Sequence, residues 1–78
     1  MEREEMLKKI TTVFIDVLDD EDIVLTESTS ADDVEDWDSL THIQLVVGVE
    51  KAFNVRFTSS EIQDWENVGE MMDCILKK

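Results

Sequence analysis

The sequence predicts an all-α protein, a small antiparallel bundle of three main helices plus one short helix, with a long loop between helices 1 and 2. Three observations predict it. Apolar residues recur at helical spacing in three separate stretches. The one stretch that alternates like a strand, Val55-Arg56-Phe57, has three residues and no partner run, too little for a sheet. Helix-start signatures precede every helix after the first, and proline is absent. The 78 residues are expected to form a single domain, 1–78.

The first helix is read over residues 2–18, where Met6, Leu7, Ile10, Phe14, Val17 and Leu18 share one face. Glu2, Glu4 and Glu5 lie at its start, where negative charge suits the helix dipole, and the acidic run Asp19 to Asp22 stands at the end where it does not. From 19 to 37 the period lapses. Ile23, Leu25 and Val34 are the apolar anchors expected to pin this connection across the bundle, and Ser30-Ala31-Asp32-Asp33 reads as one turn of helix. A connection of this length in a compact domain is more often functional than idle.

The second helix covers residues 39–53, capped by Asp38, whose carboxylate suits the N–H groups two and three residues on. At about 100° per residue, His42, Leu45, Val46, Val49 and Phe53 form its core stripe. Leu40, Gln44, Val47 and Lys51 fall opposite, with Ile43 near the border. Asn54 is the expected left-handed residue past its end. Val55 and Phe57 of the connector are expected to point inward. Thr58-Ser59-Ser60-Glu61 matches a capping box for a short helix ending near Trp65. Asn67 caps the last helix, with Val68, Met71, Met72 and Ile75 inward and Lys77 and Lys78 beside its negative end.

Twenty Asp and Glu against seven Lys and Arg give a net charge of -13. Such a surface repels nucleic acid and anionic membranes and steers basic protein partners toward it. Apolar periodicity argues against disorder despite the acidity. The single cysteine, Cys74, excludes an internal disulfide and fits a reducing compartment. With no signal-peptide pattern and no long apolar run, the expected location is cytoplasmic, without membrane insertion, and the expected state is a monomer. Repulsion screened over about 8 Å at 0.15 M salt should weaken the fold at low ionic strength. The melting temperature should therefore rise with added salt, with magnesium, or with mild acidification. A melting temperature indifferent to ionic strength would show that the acidic groups are compensated internally.

The functional clue is Asp36-Trp37-Asp38-Ser39-Leu40. Ser39 takes the first helical position, where its hydroxyl points to solvent at the positive end of the helix dipole. A phosphate ester there would meet free backbone N–H groups and a favourable field. On position alone an ordinary first-turn serine is the commoner case. A hydrolytic serine is worse supported, since no G-x-S-x-G elbow is present and His42 is the lone histidine. His42 stands one turn beyond Ser39, and its place on the core stripe makes it a partly buried structural residue. Trp37 reads as an anchor packed against the start of the second helix. The acidic loop is not an EF-hand, because both glycines, Gly48 and Gly69, lie elsewhere, and no metal site is expected. Cys74 reads as a small core or boundary residue. Leu40 and Val47, two apolar residues opposite the core and beside the serine, point to a docking surface.

The order of these elements, with Asp38-Ser39-Leu40 opening the second helix and Leu45, Val46, Val49, Glu50 and Phe53 following, resembles the acyl carrier proteins and the related peptidyl and aryl carrier domains. The likeness runs the full chain. Asp-Ser-Leu alone is a weak signal; in this length, charge and helix order it is a strong one. The resemblance implies that a phosphopantetheinyl transferase attaches 4'-phosphopantetheine from coenzyme A to Ser39. The arm's terminal thiol then carries acyl groups as thioesters, and the protein itself catalyses nothing. It further implies Asp38 as the motif neighbour, and Leu40, Gln44, Val47, Glu50 and Lys51 as the partner-facing surface. The partners implied are the transferase, an acyl- or aminoacyl-loading ligase, and synthase or transferase enzymes with basic docking patches.

Two departures stand out. Many fatty-acid carriers have glycine where this chain has Trp37, and they tend to be acidic where it has Gln44 and Lys51. The expectation is an acyl carrier in fatty-acid, polyketide or modified-lipid biosynthesis, with a specialised pathway fitting better than the housekeeping one. A free-standing peptidyl or amino-acyl carrier is the alternative within the class. An acidic interaction module that is never modified is the alternative outside it.

Overall fold

The structure is a computed structural model and describes residues 2–78. Four α-helices and one 3-10 turn carry the chain: α1 over Arg3–Leu18, the turn over Ala31–Asp33, α2 over Ser39–Phe53, α3 over Ser59–Asp64 and α4 over Val68–Leu76. No strand forms among the described residues. The helical bundle, the lone 3-10 turn in the long connection and the short third helix all match the sequence reading.

Met6, Ile10, Val13 and Phe14 are the buried residues of α1, with Leu7, Val17 and Leu18 packed at the margin. Val13 is absent from the stripe read off the sequence. It is buried because Gly48 brings α2 close: a Cβ at Gly48 would stand 2.6 Å from Val13 Cγ1. A mid-helix glycine costs about 1 kcal/mol in propensity, and here it permits a close approach of the two longest helices. Val17 and Val13 face Gly48, while Lys9 reaches the Ala52 carbonyl and lies over the Phe53 ring. Lower numbers on α1 thus meet higher numbers on α2, so the two run antiparallel. Asp19, left-handed at φ 52°, ends α1, and Asn54 at φ 54° ends α2 as expected, its N–H returning to the Glu50 carbonyl.

The connection from Asp19 to Asp38 is held at both levels, side chain and backbone. Leu25 and Trp37 are buried in the core, and Ile23 and Val34 pack against it. Thr29 is also buried, its hydroxyl accepting from the Thr26 N–H. The first N–H groups of α4 complete the hold, Val68 donating to the Thr29 carbonyl at 2.9 Å and Gly69 to the Glu27 carbonyl at 2.7 Å. A helix leaves its first N–H groups without helical partners, and the loop supplies them. Gly69 is needed for this contact, since a Cβ there would lie 2.9 Å from Glu27 O. On the surface Arg3 ties the same region together, pairing with Glu27 and with Asp73.

Val68, Met71, Met72 and Ile75 of α4 are buried, as is Cys74. The Thr58–Glu61 capping box is present at α3, and Asn67 caps α4 by accepting from the Glu70 N–H. Phe57 and Trp65 flank α3 and meet edge to face at 4.7 Å. α3 itself has no buried residue.

Candidate functional site

Asp38 sets the geometry at the head of α2. Its Oδ1 accepts from the Leu40 and Thr41 N–H groups, both at 3.0 Å. Thr41 answers, its hydroxyl accepting from the Asp38 N–H at 2.8 Å and donating to the Asp36 carbonyl at 2.7 Å. Both orphan ends of a capping box are thereby satisfied, with Thr rather than Glu or Gln in the reciprocal place. The Thr41 N–H foremost, then the Leu40 N–H and the Thr41 hydroxyl, hold the Asp38 carboxyl below the usual carboxylate range. Asp38 is therefore a fixed anion at neutral pH.

Ser39 is exposed at the first position of this turn, and its hydroxyl enters no hydrogen bond among the described residues. One expectation is corrected here. The N–H groups of Leu40 and Thr41 are occupied by the Asp38 carboxylate, so a phosphate on Ser39 would not find them free. What remains for an anion is the Ser39 N–H, which has no partner among the described residues, and the field of the helix end.

Beneath the serine turn lies Trp37, buried at 7 % exposure and edge-to-face with Phe14 at 5.0 Å. Its indole N–H donates to His42 Nδ1 at 3.0 Å. That bond makes Nδ1 an acceptor and assigns the imidazole proton to Nε2, which faces the Ile62 carbonyl at 3.4 Å. His42 is half-buried and engaged with Trp37 and α3, the structural role read from its stripe. An open groove of about 590 Å³ runs from Ser39 between α2 and α3, walled by Trp37, His42, Ile43, Ile62 and Trp65. A free hydroxyl at the mouth of a partly aromatic groove is compatible with a long, flexible group esterified at Ser39.

On the outward face of α2, Leu40 is 71 % exposed and Val47 43 %, with Gln44 and Lys51 also exposed. Ile43, placed near the border by the sequence, is 56 % exposed and belongs with them. Its spacing of three from Leu40 and four from Val47 is the signal that finds it. Glu50 departs from the expected surface. Its carboxylate turns back to accept the Phe57 N–H at 2.9 Å, tying the connector to α2, and the residue is half-buried.

Away from this face, Glu61 accepts from Lys78 Nζ at 2.8 Å and lies 3.1 Å from Cys74 Sγ. The Lys78 ammonium foremost, then the Thr58 N–H and the Cys74 thiol, hold the Glu61 carboxyl down to about 2. Burial, with Glu61 second, pushes the Cys74 thiol up, so it stays protonated at neutral pH. A carboxyl lowered on folding adds stability above its unfolded value, near 4.3 for glutamate, and that stability fades as pH falls toward the folded one. Glu61→Gln should therefore lower the melting temperature at pH 7, with the gap from wild type closing as pH drops toward about 2. A gap independent of pH would show that the Glu61 charge contributes nothing. No cluster of three or more metal-ligating side chains occurs among the described residues, and no helix there is long and apolar enough to cross a membrane.

The family described as phosphopantetheine attachment site matches residues 8–75. The chain belongs to it. An acyl carrier protein of Rubrobacter xylanophilus is 33% identical over 78 residues, covering 99% of this chain and 95% of that one. One from Borreliella burgdorferi is 29% identical over 79 residues, covering 100% of this chain and 98% of its own. The solution structure of a holo acyl carrier protein from Geobacter metallireducens superposes with a TM-score of 0.85 at 42% identity, over 94% of this chain and 84% of that one. The protein is thus a member of the acyl carrier proteins, with phosphopantetheine as its prosthetic group. Members of this family carry; they are not enzymes. Membership also implies a phosphopantetheinyl transferase and synthase enzymes as partners.

Proposed function

We propose that this protein carries acyl intermediates on a 4'-phosphopantetheine arm esterified to Ser39, for a pathway other than housekeeping fatty-acid synthesis. The observation that carries the reading is the exposed, unbonded Ser39 hydroxyl on a turn fixed from three sides, by Asp38, Thr41 and Trp37. When attached, the arm supplies a thiol able to hold an acyl group as a thioester. The chain's own residues do the rest. Asp38 fixes the turn that presents Ser39, the groove walled by Trp37, His42 and Trp65 lies within reach of whatever Ser39 bears, and Leu40, Ile43 and Val47 offer apolar contact to a visiting enzyme. The relatives named acyl carrier protein favour acyl over amino-acyl cargo. Gln44 and Lys51 support the specialised pathway. Mapping of protease fragments after treatment with coenzyme A and a broad-specificity transferase tests the site. The added group should sit on the fragment containing Ser39, and its appearance on any other serine overturns the proposal.

The docking part of the reading has its own test. Val47→Asp should leave stability within about 0.5 kcal/mol, the usual range for an exposed site. It should slow transfer from the cognate loading enzyme several-fold, because a charge would be desolvated in the interface. Equal rates for the variant and the wild type would remove Val47 from the contact. Gln44→Glu and Lys51→Glu should raise activity with fatty-acid synthase partners relative to the native ones. If that ratio does not move, this face does not choose the pathway.

A further inference from the structure

The outward face of α2 ends in positive charge. Lys51 in the last turn and Arg56 in the connector line one open groove of about 450 Å³ with Val47, Glu50, Asn54 and Val55. Both cations are exposed, and neither is in an ion pair, since the ion pairs among the described residues involve Arg3 and Lys78. Glu50, the one acid lining the groove, has a carboxylate oxygen committed to the Phe57 N–H. Compensation of the helix dipole accounts for Lys51, but Arg56 lies beyond the helix. Just before the other end of α2 stand Glu35, Asp36 and Asp38, all exposed, and the exposed Leu40, Ile43 and Val47 lie on the helix between them and Lys51. The sequence of charges is therefore acidic just before α2, apolar along its outward face, and basic in its last turn and just beyond, with the helix of 15 residues, about 22 Å at 1.5 Å per residue, between the two charged ends.

We infer that the groove at Lys51 and Arg56 receives an acidic side chain of the enzyme that docks on α2, so that the partner presents a carboxylate at this end as well as basic residues at the other. Charge complementarity selects this occupant. A wholly basic partner surface would place its own cations against Lys51 and Arg56. A second copy of the chain is disfavoured by two net charges of -13 repelling each other. The inference rests on α2 being the partner face, but its test does not depend on Ser39 being modified.

Two synthetic amphipathic helical peptides serve as probes, alike in a lysine end and a leucine stripe. The far end carries glutamates in one and glutamines in the other. Each is titrated into the isotope-labelled full-length protein at one fixed ionic strength, with binding followed through the backbone amides. Attraction by overall charge alone favours the glutamine peptide, because glutamates meet a protein of net charge -13. The inference predicts the opposite order, the glutamate peptide binding roughly three- to tenfold tighter, the range expected of one or two exposed charge pairs. The amides from Lys51 to Arg56 should shift with it. In the double variant Lys51→Glu, Arg56→Glu the order should revert to favour glutamine, with unchanged helical content. Equal affinities, or preference of the wild type for the glutamine peptide, overturn the inference. So does self-association of the free protein that the double variant abolishes, which would make the occupant a second copy.

Discussion

Trp37→Ala is expected to destabilise the protein by about 3–5 kcal/mol, the range for truncating a buried large aromatic. Trp37 is 7 % exposed, meets Phe14 edge to face, and donates its indole N–H to His42. Truncation opens a cavity under the serine turn and leaves His42 Nδ1 without its donor. For a small domain with a total of about 5–15 kcal/mol, this is a large share. Urea unfolding followed by far-ultraviolet circular dichroism reads the loss without relying on tryptophan fluorescence. Trp37→Phe separates the two contributions, because it keeps most of the packing and removes the hydrogen bond, worth about 1 kcal/mol. A Trp37→Ala midpoint within error of wild type would show that the turn carrying Ser39 is held by its cap alone.

Helix positions were legible because burial and period agree in them. The α4 stripe of Val68, Met71, Met72 and Ile75 is buried as read, and the boundaries set by Asp38, Asn54, Thr58 and Asn67 stand where their side-chain chemistry puts them. What escaped the sequence depends on contacts between distant segments. Val13 is buried through the missing Cβ of Gly48, thirty-five positions away in the chain. The loop's hold on α4 runs through carbonyls of Glu27 and Thr29, which no side-chain pattern announces, although Gly69 at a helix start was a trace of it. At the site, capping alone placed Asp38 at the cap and Ser39 at the first helical position, whereas the attachment role proposed for Ser39 came from the resemblance. The inward turn of Glu50 and the pairing of Trp37 with His42 were not, because each depends on which donor the fold brings within reach. The expectation of free N–H groups for a phosphate held only in part for a related reason: a cap strong enough to identify the helix start also occupies the Leu40 and Thr41 N–H groups, leaving that of Ser39.

The second large effect concerns Ser39. Ser39→Ala should abolish attachment of phosphopantetheine, since it removes the only atom to which the ester can form at this position. The fold should be nearly unaffected, because the bonds that fix the turn come from Asp38, Thr41 and Trp37 and none from the Ser39 hydroxyl. A carrier that cannot be charged should then give no acyl transfer with any partner, whatever the state of the α2 face. Reduced helicity in the variant would place Ser39 among the structural residues.

Intact-mass spectrometry of the wild type and Ser39→Ala, each incubated with coenzyme A and a broad-specificity phosphopantetheinyl transferase, decides whether Ser39 is the attachment site. The wild type should gain the mass of one phosphopantetheinyl group, and Ser39→Ala should gain nothing under the same conditions. Equal modification of both proteins would contradict it.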